Sequence, residues 1–194
     1  MAILRYFLNM LPYMAAALPL YLAGRCLFLR ACSAKGAGNL WREAALLVFV
    51  LYLVGLASQT IIPKIQFGAH WLDIPERDYS TLNLVPFMIF KDSWNMFQTT
   101  GSILYFITNF FGNMVMFYPL GFFPAMVWPK KFTSIRSAAL LGLVSSCFIE
   151  FCQLFLNRGT DIDDVLLNTC GVVTGYALFL LFCRLFPKTA ARFQ

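Results

Sequence analysis

The sequence predicts an all-α integral membrane protein, a five-transmembrane-helix bundle with an extracytoplasmic interfacial segment. Three observations carry that expectation. Of the 194 residues 60% are hydrophobic and only 12% charged, about half the charged share of an ordinary soluble domain. A chain of this length has no single core large enough to bury so much apolar matter. The charges it does carry are gathered between long charge-free intervals. Lipid is therefore the solvent for most of the chain, which excludes a soluble cytoplasmic enzyme, a secreted disulfide scaffold and a disordered polymer. The net charge of +6 marks loops in such a protein, so no nucleic-acid partner is expected.

The charge-free intervals place the spans. Nineteen residues separate Arg5 from Arg25, twenty separate Glu43 from Lys64 and thirty-seven separate Asp92 from Lys130. Thirteen lie between Arg136 and Glu150, with the apolar pattern continuing to Leu156, and nineteen lie between Asp164 and Arg184. About 20 apolar residues cross a bilayer as a helix, which puts spans near 6–24, 44–62, 102–128, 137–157 and 165–183. A cleaved signal peptide is the alternative for the first span. Its apolar run is longer than an ordinary signal core, however, and basic residues follow it. Residues 1–43 form an N-terminal transmembrane helix and cytoplasmic loop, and 44–194 a membrane domain with the other four helices.

Ten of the fifteen basic residues fall in segments 25–43, 129–136 and the C-terminal tail. The alternate compartment holds five, together with seven of the nine acids. Positive charge stays inside, so the N-terminus is expected outside, the C-terminus in the cytoplasm, and the protein in the plasma membrane as a multi-pass chain. Loops 63–101 and 158–164 then share the extracytoplasmic face. Within the longer one, Leu82 to Phe90 is too short to span and too apolar for a free loop. It reads as an interfacial segment flanked by Trp71 and Trp94. The six cysteines avoid the outer loops and form no CxxC. With His70 the single histidine, no zinc site is expected.

Three spans carry polar residues whose burial needs a reason. Ser146, Glu150, Gln153 and Asn157 share one face of the fourth span, at intervals of four, three and four. Asp164, Asn168, Gly171 and Gly175 share a face of the fifth at the same intervals, behind Asp161 and Asp163, which suit a helix start. Gly171 and Gly175 form a GxxxG that admits a close neighbour. The third span contributes Asn109 and Asn113 before a break expected at Pro119 and Gly121. A carboxylate at the depth of Glu150 is costly and points to function. An outward-facing pocket lined by Asn113, Glu150, Gln153, Arg158, Asp161, Asp164 and Asn168 joins these stripes. Plainer roles stand beside it: interhelical hydrogen bonds for the amides, caps for the aspartates, and charge balance for Arg158.

These residues also form a pattern that resembles the VanZ-like integral membrane proteins. The matching pieces are Asn83-Leu84-Val85-Pro86-Phe87, the run from Gly112 to Phe122 with Pro119 and Gly121, Ile149-Glu150-Phe151-Cys152-Gln153, and the run from Arg158 to Gly171, ending at Gly175-Tyr176. They keep order and spacing across residues 83–176, the motif core of the 44–194 domain, and leave the first span outside. Tyr118 stands where the family more often has a small apolar residue. The resemblance implies a cell-envelope protein that lowers susceptibility to teicoplanin by binding or handling a lipid-tailed molecule at the outer leaflet. Membrane lipids, an acylated glycopeptide or a lipid-linked cell-wall precursor are the partners this implies.

Two other function classes fit the residues. One is a membrane-embedded enzyme acting on a lipid-linked intermediate. There Glu150 would be general base or metal ligand, Asp161 and Asp164 further ligands of a divalent cation, and Arg158 an anion clamp. The other is a small transporter, for which a broken third helix and a buried carboxylate would serve. No phosphate-cradling glycine loop supports phosphoryl chemistry.

Overall fold

The computed structural model describes residues 2–31, 39–62, 82–156 and 159–193. Helix α1 runs Ala2–Ala31 and α2 Leu40–Thr60. Strand β1, Leu82–Asn83, precedes α3, Met88–Thr100. The third long helix begins as α4, Leu104–Phe106, widens to a π-helical turn over Ile107–Phe111, and continues as α5, Gly112–Val127. Helix α6 is Ile135–Gln153, strand β2 Thr160–Asp161 and α7 Ile162–Leu185. A short α8, Pro187–Ala190, and a 3-10 turn, Ala191–Phe193, close the chain.

Five of these helices are long and apolar enough to cross a membrane: Leu8–Ala31, Leu40–Thr60, Leu104–Val127, Ile135–Gln153 and Ile162–Leu185. The chain is a multi-pass, all-α membrane bundle, with the two-residue β1–β2 bridge as its only strand pairing among the described residues.

Helix α7 is central because small residues let two neighbours reach its backbone. On one side it runs beside α5. A Cβ on Gly175 would collide with the Tyr118 carbonyl oxygen, one on Gly171 with that of Met114, and one on Gly121 with that of Val172. Without side chains at these points the two backbones touch, as small residues permit in membrane helices. On the other side Gly142 of α6 packs on α7, where a Cβ would stand 2.9 Å from the Thr169 Cα. Val172, between the two, is fully buried.

Helix α2 covers the far side of α5. Phe49 stacks on Phe123 with ring centroids 5.9 Å apart, and the Tyr52 hydroxyl donates to the Met116 carbonyl at 2.8 Å. Helix α1 is the outermost. It meets α2 where Met10 and Met14 lie over Gly55, and where the Arg25 guanidinium donates to both Glu43 carboxylate oxygens.

Two local expectations change. Helix α5 continues through Pro119 and Pro124, and the departure from α geometry lies upstream, at Ile107–Phe111. Gly121 serves the approach of Val172 rather than a break. The interfacial segment expected at Leu82 to Phe90 begins as strand and turn, and its helix extends to Thr100. Phe87, Phe90, Trp94 and Phe97, spaced three, four and three apart, leave an exposed aromatic stripe on α3. Cys147 and Cys170 are free and exposed on the outside of the bundle. Trp71 and His70 lie outside the described residues.

Candidate functional site

The polar residues gather at the end of the bundle where β1 meets β2. The strands pair in parallel, Leu82 with Thr160 and Asn83 with Asp161. The Asn83 amide donates to Asp161 Oδ1 at 3.1 Å, and its own oxygen accepts the Val85 N–H at 3.1 Å. Asp161 is also the N-cap of α7, its Oδ1 accepting the Asp163 N–H at 2.9 Å. The Asp161 N–H donates to Glu150 Oε2 at 3.1 Å. Glu150, only 6% exposed, is thus tied to the first turn of α7.

Asp163 is more deeply placed, at 3% exposure. Its two oxygens accept the N–H groups of Phe87 at 2.5 Å and Ile89 at 2.8 Å. A helix start leaves such groups without intrahelical partners, so Asp163 supplies from α7 what the first turn of α3 lacks. Phe87 adopts φ 68°, ψ 17°, a left-handed conformation rare for a residue with a side chain. Pro86 before it fixes the preceding corner.

Asp164 turns to the other neighbour. Its Oδ1 accepts the Asn113 amide at 2.5 Å, joining α5 to α7. One turn along, the Asn168 amide donates to Ser146 Oγ at 2.9 Å, joining α7 to α6. The Gln153 amide donates to the Thr60 carbonyl at 3.3 Å. Among the described residues, three buried polar atoms here have no hydrogen-bond partner: Gln153 Oε1, Thr160 Oγ1 and Asn168 Oδ1.

Beside Asn113 an apolar cavity of about 330 Å³ opens between α1, α2 and the third long helix. Met10, Tyr52, Leu56, Met116 and Pro119 line its inner part, and Asn109 and Asn113 are its amides. Ile107, Phe111 and Val115 line it too and are exposed, so its mouth faces the surroundings of the bundle.

The residues expected from sequence to share one pocket are therefore brought to one end but divided among partners. Asn113 bonds Asp164, Glu150 bonds Asp161, Asn168 bonds Ser146, and Gln153 bonds the end of α2. Of these, Asn113 alone lines the cavity. Arg158 and Asn157 lie outside the described residues. Glu150, Asp161 and Asp164 are within electrostatic range of one another. Even so, no group of three His, Cys, Asp or Glu among the described residues is placed to hold a metal ion. Glu150, Asp161 and Asp164 each face a different hydrogen-bond partner.

Sequence reasoning missed the apolar half of the site. Met10, Tyr52 and Leu56 look like any other apolar positions of a membrane helix, and only packing selects them. It also missed the reach of Asp163 to α3, since an aspartate in a first turn gives no sign that it caps a different helix.

A family model described as VanZ/LLP1 matches residues 49–183. No curated protein and no solved structure gives a match. The matched stretch runs from within α2 to near the end of α7 and leaves α1 outside. It takes in most of the chain and every described residue of the polar cluster, and on that ground the chain belongs to the VanZ/LLP1 family.

Proposed function

We propose that the protein binds a lipid-tailed molecule at the outer leaflet and thereby lowers susceptibility to lipoglycopeptide antibiotics of the teicoplanin type. The observation that supports this reading is the apolar cavity beside the Asn113–Asp164 hydrogen bond. Its volume of about 330 Å³ falls in the range of small-molecule sites, which are mostly apolar with a few placed polar groups. An acyl chain fits the apolar part, and its polar end meets Asp164 through Asn113. The excess of basic residues in the other loops supports an outward-facing site.

The test is expression in a susceptible host with and without Leu56→Trp, which fills the cavity. The native chain is expected to raise tolerance to teicoplanin and not to a glycopeptide lacking the acyl chain. Leu56→Trp is expected to lose that effect at equal membrane abundance. Equal protection against both drugs would overturn the reading.

A second reading, a membrane-embedded enzyme with Glu150 as general base, draws on the burial of that carboxylate. It requires lipid extracts of expressing and non-expressing cells to differ by a defined species. A binder leaves the lipid inventory unchanged.

A further inference from the structure

We infer that the head group received beside the cavity is a primary ammonium, and that the occupant is an aminophospholipid of the surrounding leaflet. This inference rests on the lipid-binding reading above and names the chemistry of the head group.

Each side-chain donor group that lines the cavity already has one protein acceptor. The Tyr52 hydroxyl donates to the Met116 carbonyl at 2.8 Å, and the Thr108 hydroxyl to that of Leu104 at 2.8 Å. The Asn109 amide donates to the Tyr105 carbonyl at 3.0 Å, and the Asn113 amide to Asp164 at 2.5 Å. Carbonyl and carboxylate oxygens only accept, so these contacts fix both amides with NH₂ toward the protein and oxygen turned away. Outside the cavity wall, the unpartnered buried atoms near the carboxylates are two amide oxygens, which only accept, and one hydroxyl, which can also donate. Gln153 Oε1 lies one turn from Glu150, Thr160 Oγ1 adjoins Asp161, and Asn168 Oδ1 lies one turn from Asp164. Asn168 is 5% exposed and bonds Ser146 of α6, so its free oxygen sits between the two helices that carry Glu150 and Asp164.

The charge has the same sign. Glu150 and Asp164 share this end of the bundle, whereas the one ion pair among the described side chains, Arg25–Glu43, joins the opposite ends of α1 and α2. Acceptors in excess, together with buried negative charge, call for a group that is cationic and donates several hydrogen bonds. A primary ammonium has three donors and no acceptor. A head group of net negative charge, such as a phosphate monoester or a free carboxylate, would add like charge, whereas an aminophospholipid balances its phosphodiester with the ammonium. A quaternary amine carries charge but no N–H, and would leave the oxygens unpaired. The exposed mouth residues Ile107, Phe111 and Val115 open toward lipid, which makes a leaflet lipid the occupant.

The experiment uses the full chain, purified, delipidated and examined by native mass spectrometry. Three probes share dioleoyl chains: phosphatidylethanolamine, its N-acetylated form, and phosphatidylcholine. Phosphatidylethanolamine is expected to be retained about tenfold better than the other two, the scale of a charge-assisted hydrogen bond. Glu150→Gln and Asp164→Asn are each expected to erase that preference. Because the lipid series is read on the unaltered protein, a variant that fails to fold does not remove the test. Equal retention of all three lipids overturns the ammonium inference and leaves the lipid-binding reading standing. Retention of none overturns both.

Discussion

Asp163 and Phe87 are joined by a 2.5 Å hydrogen bond from the Phe87 N–H to the Asp163 carboxylate. This contact lets a residue of α7 decide where α3 begins. The second Asp163 oxygen accepts the Ile89 N–H, so one buried carboxylate compensates both the left-handed backbone at Phe87 and the open first turn of α3. The aromatic stripe from Phe87 to Phe97 is thereby held against the polar end of the bundle, next to the third helix. There Phe90 meets Phe106 and Phe110 at centroid distances of 5.7 and 5.8 Å.

Asp163→Ala is expected to release α3 while the five long helices persist. Loss of two charge-assisted bonds corresponds to roughly 3–6 kcal/mol. Limited proteolysis between Phe87 and Gly101 should accelerate strongly in the variant, with circular dichroism still helical. Asp163→Asn, which keeps one acceptor oxygen, should give a smaller effect. Unchanged proteolysis in Asp163→Ala would refute the capping role.

The α5–α7 contact predicts a sharp contrast among glycines. Gly175→Ala places a methyl against the Tyr118 carbonyl, backbone that has no rotamer to escape with. The cost is on the order of 1–3 kcal/mol or more for overpacking, and membrane abundance should fall. Gly24→Ala in α1 meets nothing within 4 Å and should be neutral or stabilising by about 1 kcal/mol through helix propensity. Thermal unfolding in detergent compares the two.

Glu150→Gln and Asp164→Asn keep size and most hydrogen-bonding capacity while removing charge. If the polar cluster receives a cationic group, both variants should insert at normal abundance and lose protection against teicoplanin. Asn168→Ala is expected to lose less, because interhelical hydrogen bonds in membranes are typically worth about 0.6 kcal/mol. Full protection in both carboxylate variants at equal abundance would end the functional reading of the cluster.

Topology is checked by single cysteines in a background without the native ones. A cysteine replacing Glu76 is expected to react with an impermeant maleimide in intact cells, and one replacing Lys130 only after lysis. The opposite pattern would place the polar end in the cytoplasm and remove the outer-leaflet reading.

The sequence by itself determined the membrane class, the number of spans and the residues worth watching. Hydropathy and charge are properties of the chain that the bilayer reads directly. A carboxylate such as Glu150 stands out against an apolar span wherever its partners lie, and the small residues Gly171 and Gly175 announce a close neighbour without naming it. Tertiary structure alone decided the partners. Asp163 could cap its own helix or another, and only the β1–β2 pairing, which brings Asn83 to Asp161, puts α3 within its reach. Asp164 and Asp163 are adjacent in sequence, yet the helical turn points one to α5 and the other to α3. The cavity depends on how α1, α2 and the π-helical turn at Ile107–Phe111 pack together. Its walls are apolar residues that no local pattern distinguishes, because packing shape is a property of the assembled surfaces and not of any one segment.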